Sequence, residues 1–143
     1  MHHLTKRTED LLLAGIILAL SSPLLLLLAV AVRTTTGRPI LFRQRRNGLH
    51  GREFELIKFR SMREDVPPEA DAEHVHRHMT RVGAILRRTG LDELPQFINV
   101  LRGDMSIVGP RPHAIEHNVF FAERIPGYHI RHEVKPGITG WAQ

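Results

Sequence analysis

The chain has 143 residues, 42% of them hydrophobic, with one Trp, one Tyr and no Cys. That is one domain's worth of core, and without cysteine there is no disulfide stapling and no thiol nucleophile, which leaves His and carboxylates as metal ligands. The formal charge of +5 is uneven: residues 33–63 hold nine Lys or Arg against two Glu, a patch suited to anionic lipid heads or phosphates, while the few aromatics argue against nucleic acid.

Residues 11–32 carry no charged side chain over 22 positions, about 33 Å of straight helix and enough to cross a bilayer core. The basic patch begins where this apolar run ends, as a juxtamembrane cluster does against a negatively charged leaflet. Ser21, Ser22 and Pro23 sit near its middle, where proline removes a helix hydrogen bond. Lys6 and Arg7 precede the run and Arg33 and Arg38 follow it, whereas a spanning helix usually shows basic bias on one side. A re-entrant helix broken at Ser22 and Pro23, with both ends on the cytoplasmic face, is therefore expected; a kinked spanning helix is the competing geometry.

Residues 40–44 and 53–59 alternate as two short strands around an Asn47-Gly48 turn. Lys58 and Arg60 would share one face of the second strand and reach a phosphate together, against the plainer reading of a solvated strand face. Residues 63–78 are polar, contain Pro67-Pro68 and read as a loop; His74, His76 and His78 alternate within it, but a His74 and His78 metal pair lacks a third ligand. Residues 82–91 form a short helical approach. Residues 114–125 form an amphipathic helix, with Val119, Phe120 and Phe121 expected in the core by default and at a membrane interface otherwise. His113 and His117, four apart, read as surface histidines.

The stretch LDELPQFINVLRGDMSIVGPRP at residues 91–112 carries the most information. Leu94, Phe97, Ile98 and Leu101 follow the helical period, Gly103 supplies a stop, and Pro95 fits only in the first turn. Asp92 and Glu93 are thereby expected at a helix N-terminus, where the dipole keeps Asp92 ionised as a nucleophile or metal ligand; the bland reading of such a pair is a cap. Adjacent helical residues point about 100° apart, so the pair suits one reactive centre rather than two facing carboxylates of a glycosidase. Magnesium shared with substrate phosphate matches these oxygens, and Arg87, Arg88 and Arg111 are nearby guanidinium forks. VKPGITGWAQ, the last segment, reads as a substrate-facing turn.

Taken in order, KRTED at residues 6–10, Ser22-Pro23, GRPILFRQRRNG, KFRSM, LDELPQFINVLRGDMSIVGPRP and KPGITGWAQ resemble the bacterial sugar transferases that are monotopic phosphoglycosyl transferases. The resemblance covers nearly the whole chain. It implies an α+β, mainly helical fold with an N-terminal re-entrant membrane helix, a short β-hairpin and amphipathic interfacial helices. Residues 1–38 would be the anchor and its flank, and 39–143 a cytoplasmic catalytic domain at the bacterial inner membrane, cut short after Gln143. The implied reaction moves a sugar 1-phosphate from a UDP-sugar to undecaprenyl phosphate and releases UMP, the first membrane step of surface polysaccharide synthesis. Asp92 would be the nucleophile and Glu93, with Asp92, the magnesium ligand. Lys58, Arg60, Arg87 and Arg111 would bind phosphates, and Ser22 with Pro23 would make the re-entrant turn. Membrane lipid and a second copy of the chain are further candidate partners; nucleic acid is not. Gly90 departs from the serine common in the family and is expected to weaken a helix cap. The alternative class is a membrane-anchored anion-binding scaffold in which the carboxylates merely cap.

Overall fold

The computed structural model describes residues 2–63 and 78–140, with side chains from Leu4 onward. It is mainly helical. The first element is a 34-residue helix α1 (His2–Thr35) with Pro23 inside it. Leu, Ala and Ile dominate this segment, so propensity and apolarity agree on a long helix. Leu12, Leu20, Leu26 and Leu27 are each more than 60% exposed on it, which suits lipid rather than water.

Two strands, β1 (Leu41–Asn47) and β2 (Glu53–Phe59), form a hairpin. A single 3-10 turn, Leu49–Gly51, closes it, with the Gly48 amide donating to the Arg52 carbonyl at 2.8 Å. Helix α2 (Arg81–Thr89) starts on Thr80, whose side chain accepts from the Gly83 amide, and stops at Gly90, which sits in the left-handed region with φ +70°. Gly90 is thus a C-cap for α2 that favours glycine, while for the turn that follows it is an N-cap without a side-chain bond, in line with the expected weaker cap. A 3-10 turn, Leu91–Glu93, follows at once. Helix α3 (Gln96–Arg102) begins directly after Pro95 and ends at Gly103, φ +97°. Strand β3 (Ser106–Val108), helix α4 (Ile115–Ala122), a 3-10 stretch Tyr128–Glu133 and strand β4 (Gly137–Thr139) complete the order.

The expected strands and helices lie within a few residues of their predicted positions, but the β3 and β4 pair was not foreseen. These strands run parallel, Ser106 opposite Gly137 and Val108 opposite Thr139. The close approach explains two glycines: a Cβ at Gly137 would meet the Gly109 amide nitrogen at 2.0 Å, and one at Gly109 would meet the Lys135 carbonyl at 2.4 Å. The final segment is therefore partly a strand, not only a turn.

The chain divides into two compact units. One comprises residues 1–19, 43–57 and 96–143, and its core gathers Ala14, Leu56, Val100 and Met105 with Phe54, Phe97, Ile107 and Ile138 around them. Asn99 is fully buried here; its amide donates to the Glu55 carbonyl at 2.7 Å and its oxygen accepts from the Ile57 amide at 3.1 Å. Those bonds satisfy backbone groups on one strand that the helix would otherwise strand in an apolar setting. The other unit comprises residues 20–42 and 58–95, with Val32, Phe59 and Leu86 at its centre and Leu25, Leu28, Ala29, Ile40, Leu41, Val82 and Leu91 packed on them.

Candidate active site

Within the second unit, the turn that carries the carboxylate pair is held directly against α2 by the Gly90 cap. Its position corrects the sequence expectation: Asp92 and Glu93 belong to a separate 3-10 turn, with Leu94 and Pro95 between them and α3. The turn begins at Gly90 with no side-chain capping bond. Asp92 is 5% exposed. Burial is the largest influence on it and pushes its carboxyl up from the usual carboxylate range; Lys58 draws it back down, Glu93 raises it and Arg87 lowers it. The sequence reading, which kept Asp92 ionised on the amides of a helix end, did not include this desolvation.

Arg87 stands in the last turn of α2 and its Nε donates to Ser61 Oγ at 2.9 Å. Ser61 was not singled out in the sequence; it lies where KFRSM leaves β2, and its backbone is pressed against α2 at Gly83. The absence of a Cβ at Gly83 is what lets them meet. Lys58 reaches over the Phe42 ring, its Nζ 5.3 Å from the centroid, so its stem is steadied on an aromatic face.

Arg60 behaves differently from the phosphate ligand anticipated. It is buried, just beyond β2, and its guanidinium donates to the backbone carbonyls of Arg38 at 2.7 Å, Met62 at 2.9 Å and Arg63 at 2.7 Å. Its fork is engaged as a clasp on three carbonyls from two chain segments, so Lys58 and Arg60 do not present a joint face. His74 and His76 lie outside the described residues.

Arg111 belongs to the first unit, on an exposed corner. The corner is stitched to β4 by Gly109 donating to the Thr139 carbonyl at 2.9 Å and Gly137 donating to the Pro110 carbonyl at 3.0 Å. Arg131 supports it from another side: one Nη donates to the Arg111 carbonyl, and the other lies 2.9 Å from His113 Nδ1. His113 is half-buried, not a surface histidine. Tyr128 Oη lies 2.7 Å from its Nδ1 and donates to Asn118 at 2.7 Å. Burial first, then the cations Arg131 and Arg46, hold His113 down at about 4, well below its usual 6.5. On α4, Val119 and Phe120 are exposed and not in the core, which corrects the default for those two residues.

Magnesium fits the carboxylate pair in one way. Among the described residues no group of three His, Cys, Asp or Glu side chains is gathered, so there is no ready-made cage. Asp92 and Glu93 match an ion bound through one or two carboxylates and completed by substrate phosphates and water.

Comparison with known proteins matches the family described as bacterial sugar transferase over residues 1–143. The chain is 52% identical over 145 residues to the UDP-glucose:undecaprenyl-phosphate glucose-1-phosphate transferase of Escherichia coli K12, covering 100% of this chain and 31% of that protein. It is 51% identical to the Caulobacter vibrioides protein of the same name, covering 98% of this chain and 53% of the relative. It is 44% identical to the UDP-N-acetylgalactosamine-undecaprenyl-phosphate N-acetylgalactosaminephosphotransferase of Aeromonas hydrophila, covering 96% of this chain and 33% of the relative. The chain thus spans about a third to a half of the length of these curated relatives.

Proposed function

Because the chain belongs to the bacterial sugar transferase family, we propose that it moves a sugar 1-phosphate from a UDP-sugar to undecaprenyl phosphate. The observation that carries the assignment of chemistry to Asp92 is a desolvated carboxylate facing Lys58 and Arg87 in one compact unit. A buried carboxylate is costly unless cations accompany it, and such groups cluster where reactions occur.

Two displacements follow. An Asp92 oxygen attacks the sugar-bearing phosphorus, the phosphoanhydride P–O bond breaks, and UMP leaves with the electron pair. An oxygen of undecaprenyl phosphate then attacks the same phosphorus, the aspartyl P–O bond breaks, and the carboxylate is restored with a diphosphate-linked sugar as product. The acyl phosphate is a mixed anhydride and retains enough transfer potential for the second step. Lys58 and Arg87 offset the repulsion between an anionic nucleophile and an anionic diphosphate. Arg111 is proposed as a further phosphate ligand, while Arg60 holds backbone. Glu93, with Asp92, would hold magnesium, which when bound supplies charge neutralisation on phosphate oxygens.

The apolar α1 is proposed to be re-entrant at Ser22 and Pro23 in the inner membrane, with the remaining chain on the cytoplasmic face. Basic residues at both of its ends support that geometry, and reporters at the two termini appearing on opposite faces would refute it. The chemistry is tested by incubating the chain in lipid with a panel of UDP-sugars and magnesium, followed by intact mass measurement. A phosphosugar adduct is expected, and Asp92→Asn should lack it. Undiminished UMP release in that variant would remove Asp92 from its role.

A further inference from the structure

The first unit contains a cavity of about 750 Å³ whose lining includes none of the residues proposed for the transfer. Its walls include the apolar side chains of Leu49, Val108 and Val134, and its charged lining comes from Lys6, Arg7 and Lys135 against Asp10 and Glu133. This volume lies within the range of small-molecule sites.

The charges are not mutually satisfied. Asp10 is already occupied: it accepts from Lys6 Nζ at 2.7 Å, from Ser106 Oγ at 3.1 Å and from the Ile107 amide at 3.1 Å. Arg7 donates to neutral acceptors only, the Val100 carbonyl at 2.6 Å and the Leu101 carbonyl at 2.9 Å, where it caps the end of α3. Lys135 has no ion-pair or hydrogen-bond partner among the described residues. A Cβ placed on Gly103 would lie 3.4 Å from Arg7 Nη2 and 3.8 Å from Lys135 Nζ. The two cationic nitrogens are therefore no more than roughly 7 Å apart, a spacing at which like charges repel unless an anion joins them.

Three formal positives against two negatives leave the lining with one unmatched positive charge. Val108 and Val134, which line the cavity, are also 55% and 53% exposed, so its apolar wall continues onto the surface. Lys6 and Arg7 stand on α1 a few residues before the uncharged run that begins at Leu11, the level at which lipid phosphates meet a membrane helix.

We propose that this cavity binds the phosphodiester headgroup of an anionic membrane phospholipid, with its phosphate between Arg7 and Lys135 and its first chain carbons against Val108 and Val134. One unmatched positive charge suits the single negative charge of a diester better than a dianionic monoester, which distinguishes this ligand from the acceptor of the transfer reaction. The site would hold a lipid that is not consumed.

The chain is reconstituted in nanodiscs of equal phosphatidylglycerol and phosphatidylcholine, transferred to detergent, and its retained lipid read by native mass spectrometry. Phosphatidylglycerol should be retained over phosphatidylcholine by at least fivefold, Lys135→Gln should remove that preference, and Lys135→Arg should restore it. Circular dichroism checks that all three proteins share one fold, and Lys135, a partly exposed side chain with no ion-pair or hydrogen-bond partner among the described residues, is a substitution the fold should tolerate. Equal retention of the two lipids, or an unchanged preference in Lys135→Gln, would overturn the proposal. So would a polyprenyl phosphate monoester that displaces phosphatidylglycerol one for one at equal concentration. The readout is lipid retention, so its failure leaves the Asp92 chemistry standing, and a failed adduct experiment leaves this site standing.

Discussion

Gly83→Ala is the substitution that tests most directly how the fold delivers a cation to the carboxylate turn. A Cβ there would lie 1.9 Å from the Ser61 carbonyl oxygen, 2.7 Å from its carbon and 2.8 Å from its Cα. All three are backbone atoms, so no side chain can swing aside, and α2 would have to retreat by about 1 Å. The same contact region includes Thr80 donating its amide to the Ser61 carbonyl at 3.3 Å and Arg87 donating to Ser61 Oγ at 2.9 Å. Overpacking of this kind costs about 3 kcal/mol at its upper end, while replacing a helical glycine by alanine returns about 1 kcal/mol. The net loss of about 2 kcal/mol should lower the melting temperature by about 4–8 °C. Because Arg87 moves with the helix, sugar phosphate transfer should also fall by up to about a hundredfold. Thermal unfolding in detergent and initial transfer rates would be measured on the same preparation. Gly15→Ala is the control, since nothing lies within 4 Å of its added Cβ, and it should leave both quantities near wild type. A Gly83→Ala protein that melts at or above wild type and transfers at full rate would refute the reasoning.

Asn99→Ala removes the side chain that serves Glu55 and Ile57 in the fully buried position beside Val100. The backbone groups left behind should lower stability by about 2–4 kcal/mol in denaturant titration, and a change below about 0.5 kcal/mol would show that they find other partners. For His113, held at about 4 in the fold against 6.5 ordinarily, the unfolded chain binds the extra proton between those values. Stability contributed by the neutral ring is thus present above pH 6.5 and lost as pH falls toward 4. The ceiling of about 3 kcal/mol shrinks to about 1–2 kcal/mol for a ring partly open to water. Unfolding free energies across pH 4–7 should show that slope, and His113→Gln should flatten it. Glu93→Gln should raise the magnesium concentration needed for half-maximal transfer severalfold, and an unchanged magnesium dependence would take Glu93 out of the metal site.

Local patterns in the sequence were enough to place α1, from its unbroken uncharged run, and the hairpin and the helices around residues 81–102, from their apolar periods and glycine or proline boundaries. The β3 and β4 pair escaped for a physical reason: three-residue strands have no period to read, and parallel pairing across some thirty positions is a long-range contact. The glycines at 109 and 137 carried the only local sign of it, a need for two backbones to touch. At the site, residue types were legible but their environments were not. Asp92 was legible as a carboxylate at the start of a turn, but its burial, which pushes its carboxyl up, was not. Arg60 had the right charge and spacing for phosphate, and only the fold shows it bound to three carbonyls. His113 was indistinguishable from a surface histidine until Tyr128 and Arg131 came to meet it.

The apolar helix is also part of both hydrophobic cores. Ala14 is an integral part of one buried cluster, and Val32, Leu25, Leu28 and Ala29 belong to the other. A water-soluble version made by trimming away the first 38 residues would therefore lose packing from both hydrophobic centres and also Arg7, the cap on α3. Solubility for such a protein has to come from detergent, lipid or redesign of the helix's outward leucines, since the greasy segment is also the keel on which the remaining structure is built.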